Sequence, residues 1–207
     1  MAFDIWLAFF ATAAVVIVTP GPSTLLVLAH GLSYGRRPAS ATIAGVLAAD
    51  STHVVIAAFG LTALLAVSAQ VFTVLKWAGV AYLIYLGLRY WRAGPIDLGA
   101  TGGGGGRSAK GRFAQGYLVT LTNPKPILFY VAFFPQFLDP VAAQGPQFAI
   151  MGATFVAIAL VVMTVYAGFA GAIRQWFRTG RRQRWLNRGA GTLLIGAGLF
   201  LAGLRRA

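Results

Sequence analysis

The chain has 207 residues, of which 58% are hydrophobic and 10% charged, well below the roughly 25% charged residues of an ordinary soluble domain. The net charge of +13 does not point to a nucleic-acid partner, because the basic residues lie between long apolar runs and answer first to membrane topology. There is no cysteine, which excludes disulfides and thiol chemistry.

Runs of about 20 apolar residues are long enough to cross a bilayer core of about 30 Å. On that criterion the expected spans are 4–33, 39–67, 71–91, 114–138, 147–173 and 187–204. The opening MAFDIWLAFFATAAVVIV carries Asp4 in place of an early Lys or Arg and runs past cleavable length. It reads as a retained first span and not as a signal peptide. That span is interrupted by TPGPS at Thr19, Pro20, Gly21, Pro22 and Ser23. Two prolines in three positions remove backbone donors and unwind a turn. At membrane depth this is tolerated only against protein or a watery cavity. His30, nearer the end of the same span, is expected to make an interfacial hydrogen bond.

The second span begins near Pro38 and carries Asp50, the acidic residue deepest in any span, with His53 one turn later on the same face. At about 1.5 Å per residue, Asp50 lies about 18 Å along its helix, level with the break. The third span has Lys76 and Trp77 toward one interface and Tyr90 and Trp91 toward the other, in the manner of anchors. After it comes GATGGGGGRSAKGR, a stretch unable to bury a core, which reads as a flexible linker. The chain therefore divides into a first half 1–95, a linker 96–111 and a second half 112–207.

The fourth span, first of the second half, contains LTNPKPILFY. Asn123, Pro124, Lys125 and Pro126 repeat the polar-Pro-x-Pro pattern of Thr19–Pro22, 104 residues on. Matching interruptions in corresponding helices of two halves point to a transporter's central site. Lys125 at this depth needs a cavity or a partner, and Asp50 is the candidate. Asp50 and His53 are expected to serve a proton relay; a purely structural Asp50–Lys125 pair is the alternative, as is a His53 that only bonds a backbone carbonyl. The sixth span carries Gly189, Gly196 and Gly203, with Gly191 and Gly198 at the same interval. Such stripes let helices approach closely, within the chain by preference or else across a homodimer. Gly21, Gly45 and Gly79 are expected to ease movement of the halves.

Basic residues mark the first, third and fifth connections, while the second and fourth hold no Lys or Arg. With both termini outside, 13 of the 17 basic residues fall on the cytoplasmic side. Three spans per half force the halves to enter the membrane in opposite directions. The expected architecture is an all-α polytopic membrane protein: six transmembrane helices as two inverted three-helix repeats with broken first and fourth helices.

The segments TPGPSTLLVLAHGLSYGRR, AGVLAADSTHVVIAAFGLTALL, LKWAGVAYLIYLGLRYWR and FAQGYLVTLTNPKPILFYVAFFPQF resemble the LysE/RhtB family of bacterial amino-acid exporters over nearly the whole chain. The resemblance implies export of an amino acid or related small metabolite across the bacterial cytoplasmic (inner) membrane, driven by an ion gradient. Asp50, His53, Asn123, Pro124 and Lys125 fall on positions of the family pattern. Ser23 stands where the family often has Asn or Asp, and Ala49 where glycine is common.

The leading expectation is thus a proton-coupled secondary exporter whose two broken segments bind the substrate. A passive small-solute channel with the same breaks is the alternative. An enzyme is disfavoured: there is no HExxH, no nucleophile elbow and no second deep carboxylate beside Asp50. No cofactor or metal is expected.

Overall fold

The computed structural model describes residues 1–65, 69–93, 108–139, 141–177 and 180–203. Most of the glycine-rich linker lies outside the described residues, as do the side chain of Lys76 and the surroundings of Gly79. Every regular element among the described residues is helical: α1 (Phe3–Val18), α2 (Pro22–Tyr34), α3 (Arg36–Leu65), α4 (Ala69–Arg92), α5 (Ala109–Leu121), α6 (Pro124–Phe133), a 3-10 turn (Phe134–Phe137), α7 (Gln144–Gly168), α8 (Ala170–Phe177) and α9 (Gly180–Gly203).

The helix ends follow local chemistry. Pro22 opens α2 at its first position, where its missing N–H costs nothing. Gly35, at φ +85°, takes the left-handed conformation that turns α2 into α3. The Ser108 hydroxyl caps α5 by accepting from Gly111 N at 3.2 Å. The region expected as a fifth span is two helices, parted at Phe169 between Gly168 and Gly171, residues that weaken a helix. The sixth helix starts at Gly180, so Arg181, Arg182, Arg184 and Arg188 lie within α9 and not in a loop.

Among the described residues, Arg36–Gly60 of α3 and Gln144–Gly168 of α7 are each long and apolar enough to cross a membrane. The pair α1 and α2, bent by 55°, is a third if it is counted as one span. The described residues are thus all helical in their regular structure, consistent with a polytopic membrane protein.

Glycines set the two closest helix approaches. A Cβ on Gly45 of α3 would stand 2.1 Å from Phe113 O of α5, and one on Gly116 of α5 would stand 2.4 Å from Thr42 O. Gly45 therefore serves close backbone-to-backbone packing of α3 on α5. On α9, Gly191 meets Gly87 O and Gly198 meets Leu83 and Ile84 of α4, whereas Cβ atoms on Gly189, Gly196 and Gly203 would meet nothing within 4 Å. Only one of the two glycine stripes packs within the chain.

Basic residues bordering the first, third and fifth connections make contacts between helices. Arg112 Nε donates to Pro38 O at 3.0 Å, with its guanidinium 5.3 Å from the Tyr34 ring. Arg188 lies 5.3 Å from the Trp91 ring, and Trp91 Nε1 donates to Thr192 Oγ1 at 3.0 Å. His30 is buried, its Nδ1 2.6 Å from Thr42 Oγ1. The core is a cluster of aromatic rings: Phe9 of α1 against Phe133, Phe134 and Phe137, and Phe155 of α7 against Phe129 and Tyr130 of α6.

Candidate functional site

Both expected breaks are present. α1 ends at Val18 and α2 resumes at Pro22; α5 ends at Leu121 and α6 resumes at Pro124. A helix broken by proline leaves carbonyls whose partners four residues on have no N–H. Val18 O would have used Pro22. It instead accepts from the Tyr166 hydroxyl of α7 at 2.8 Å. Thr19 O accepts from Lys125 Nζ at 2.7 Å. At the second break, Leu121 O would have used Lys125 N, which is taken by Asn123 Oδ1 at 3.0 Å as the cap of α6. The Leu121 carbonyl faces His53 Nε2 at 3.2 Å. A carbonyl can only accept, so Nε2 carries the proton in this contact. Each break is thus satisfied by side chains from the other half of the chain.

The breaks are also tied to each other. Ser23 Oγ accepts from Thr120 Oγ1 at 2.9 Å and from Asn123 Nδ2 at 3.3 Å. Asn123 therefore caps α6 with its oxygen and holds α2 with its nitrogen. Lys125 runs alongside Gly21: a Cβ there would stand 3.4 Å from Lys125 Cδ, in van der Waals contact. The Lys125 ammonium also lies 5.7 Å from the Tyr90 ring, so Tyr90, expected as an interface anchor, contributes to this site.

Between the breaks is a cavity of about 40 Å³. One water needs about 10–15 Å³ on this scale, so the space holds roughly three waters. Its polar lining comes from Ser23 and Thr24 of α2, Asp50 of α3, Thr120 of α5, Asn123 and Lys125. Val16 and Ile17 of α1 and Phe155, Ala159 and Met163 of α7 supply apolar lining. Asp50 is 4% exposed and has no hydrogen-bond or ion-pair partner among the described residues. The structural Asp50–Lys125 pair weighed as the alternative is not closed into a direct contact among the described residues: both charged groups line one cavity, and Lys125 directs one of its three donors to Thr19. Among the described residues no cluster of three or more His, Asp or Glu is placed to hold a metal.

Of the residues singled out from sequence, Gly21, Ser23, Asp50, Asn123, Lys125 and Pro126 line the cavity. Thr19 contributes its carbonyl. Pro20 and Pro22 shape the break without lining the space, and Pro22 is exposed. Pro124 opens α6. His53 lies behind the cavity, against Leu121 and 5.6 Å ring to ring from Tyr130. Its Nδ1 and the Tyr130 hydroxyl are buried with no partner among the described residues. Sequence reasoning did not single out Thr24, Thr120, Tyr166 or the α7 lining. The four-residue spacing of Phe155, Ala159 and Met163 was available as a signal, but α7 is apolar on every face and offers no contrast.

A family model described as LysE type translocator matches residues 14–204. A homoserine/homoserine lactone efflux protein of Salmonella typhimurium is 38% identical over 209 residues, covering 100% of both chains. An uncharacterized membrane protein of Vibrio cholerae is 38% identical over 202 residues, covering 98% of each. A leucine efflux protein of an Enterobacter species is 30% identical over 192 residues, covering 91% of this chain and 90% of its own. No solved structure matches.

Proposed function

Because the chain belongs to the family of LysE type translocators, and is therefore a transporter and not an enzyme, we propose that it exports a small zwitterionic amino acid from the cytoplasm in exchange for protons. The observation that carries this reading is one cavity lined by a carboxylate and an ammonium that are not paired with each other. A buried charge is costly unless compensated. A ligand that brings one charge of each sign compensates both, and an α-amino acid is such a ligand. The efflux proteins for homoserine and leucine among the relatives support this substrate class.

In this reading the substrate carboxylate lies at the N-terminus of α2, which Gly21 caps without a side chain. The amides of its first turn and the positive end of its dipole face the anion. The carboxylate also draws Lys125 Nζ from the Thr19 carbonyl, so binding and the shape of the first break are linked. Asp50 takes the amino group in one state and a proton in the other. That difference is what allows a proton to bias two access states. His53, whose Nδ1 is free to accept, passes the proton.

The architecture we propose for this cycle is six spans in two inverted halves, 1–95 and 112–207, joined by the linker 96–111 in the bacterial inner membrane, with both termini outside. Its support is the exchange of roles between halves. α3 packs on α5 as α7 packs on α1, and α7 packs on α2 as α3 packs on α6, while α4 pairs with α9 and α3 with α7. The bond from Arg112, at the end of the third connection, to Pro38, just after the first, fits retention of both connections on the cytoplasmic side.

The test is uphill movement. Proteoliposomes holding the purified protein, with an imposed proton gradient, should accumulate leucine or homoserine above equilibrium and lose that accumulation when an uncoupler is added. Simple equilibration that ignores the uncoupler would replace this reading with a passive channel.

A further inference from the structure

The polar groups of the cavity come from α2, α3, α5 and α6, whereas everything that α1 and α7 contribute is apolar. On α7 these residues are Phe155, Ala159 and Met163, spaced four apart, which puts them on one stripe of the helix. They are 3%, 1% and 4% exposed. The α1 contribution, Val16 and Ile17, adjoins this stripe, because α1 and α7 are fastened along their length. Trp6 Nε1 donates to Thr154 Oγ1 at 3.1 Å and Tyr166 Oη to Val18 O at 2.8 Å. The two helices therefore form a single apolar wall.

We infer that this wall is the side-chain subsite of the cavity, and that Ala159 sets the length of side chain it accepts. The inference rests on the exporter reading above and adds to it the residues that choose among substrates. In an amino acid the ammonium, the carboxylate and the side chain leave the same carbon. Once the two charges face Asp50, Lys125 and the α2 amides, the side chain is directed to the apolar lining, to which this wall contributes five residues beside Val46 of α3 and Pro126 of α6.

The three α7 residues differ in what they permit. Phe155 is fixed by rings on two sides, 5.3 Å from Phe129 and 4.9 Å from Tyr130, so it is a rigid end stop. Met163 is unbranched and adapts its shape. Ala159, between them, is the shortest, and the space above it is the depth of the subsite. Nothing on this wall is charged, so a side-chain charge would be buried without a partner. The substrates it fits are neutral and short.

The experiment measures rates for alanine, leucine, lysine and glutamate in proteoliposomes of wild type, Ala159→Leu, Met163→Ala and Val161→Leu. Val161 is a lipid-facing control on the same helix, 62% exposed. A single methylene in an apolar pocket discriminates by about 10- to 200-fold. Ala159→Leu should therefore lower the leucine-to-alanine ratio by about tenfold or more, Met163→Ala should raise it, and Val161→Leu should leave it unchanged. Wild type should move leucine at least about tenfold faster than lysine or glutamate. If Ala159→Leu does not fold, Met163→Ala and the wild-type profile decide. Rates that change in parallel for all four substrates, or lysine carried as fast as leucine, would overturn the subsite and leave the exporter standing. Equilibration without uphill transport would overturn the exporter, while the ratios would still report on the wall.

Discussion

Lys125 Nζ donates to the carbonyl of Thr19 at 2.7 Å, across 106 residues of sequence. The contact joins the broken helix of one half to the broken helix of the other, and it holds the ammonium at the edge of the cavity that Asp50 also lines. Replacing Lys125 by Met removes two opposing terms. The lost charged hydrogen bond is worth about 1.5–3 kcal/mol, and burying an ammonium at membrane depth costs about 2.5–3.5 kcal/mol. Lys125→Met should therefore change stability by less than about 2 kcal/mol while reducing uphill transport by more than about tenfold. Unfolding in detergent and efflux assays, run on the same preparation, separate the two effects. Intact transport in a stable Lys125→Met protein would contradict the role given to this residue.

Tyr166 holds Val18 O because Pro22 has no N–H to give it. Tyr166→Phe leaves that carbonyl unsatisfied, at a cost of about 1–3 kcal/mol. The expected result is a lower unfolding midpoint, with the leucine-to-alanine rate ratio unchanged. A midpoint equal to wild type would mean that another donor reaches the break.

The glycines give a paired prediction. Gly45→Ala puts a methyl group 2.1 Å from Phe113 O, a clash with backbone that no rotamer relieves. It should destabilise by about 1–3 kcal/mol or more. Gly196→Ala meets nothing within 4 Å and should stabilise α9 by about 0.5–1 kcal/mol through helix propensity. Thermal unfolding of both variants checks this. A destabilised Gly196→Ala would show instead that the outer glycine stripe is covered by a second copy.

His53→Gln retains an N–H donor for Leu121 O, while His53→Phe does not. The first should fold as wild type does. The second should lose about 1–3 kcal/mol for the orphaned carbonyl, measured by the same unfolding assay. Proton-driven transport should fall in both, because neither side chain carries a proton as imidazole does.

What the sequence made legible follows from what is local. Pro-x-Pro at Pro20–Pro22 and Pro124–Pro126 announces a break wherever it occurs, since the missing N–H belongs to the residue itself. The donors that satisfy the freed carbonyls are different in kind. Tyr166 looks like any tyrosine until the helices are packed, so its role was not readable; for His53 a bond to a backbone carbonyl was readable as one of two roles, but its partner Leu121 was not. Asp50 and Lys125 were readable as a pair because charges are rare in such spans, yet the distance between them is a property of packing. The two stripes on α9 show the same limit. Gly189 and Gly191 are two residues, or about 200°, apart around the helix, and only the fold determines which side meets α4. On α7 the uniform hydrophobicity hid the stripe that faces the cavity.

The most direct test of the central claim, that Asp50 links substrate movement to the proton gradient, is uphill transport by wild type and Asp50→Asn in matched proteoliposomes. Asp50→Asn keeps the shape and removes the titration. Wild type should accumulate substrate against its gradient and stop on uncoupling, and Asp50→Asn should fail to accumulate it under either condition. Uphill transport by Asp50→Asn at the wild-type level would contradict the claim.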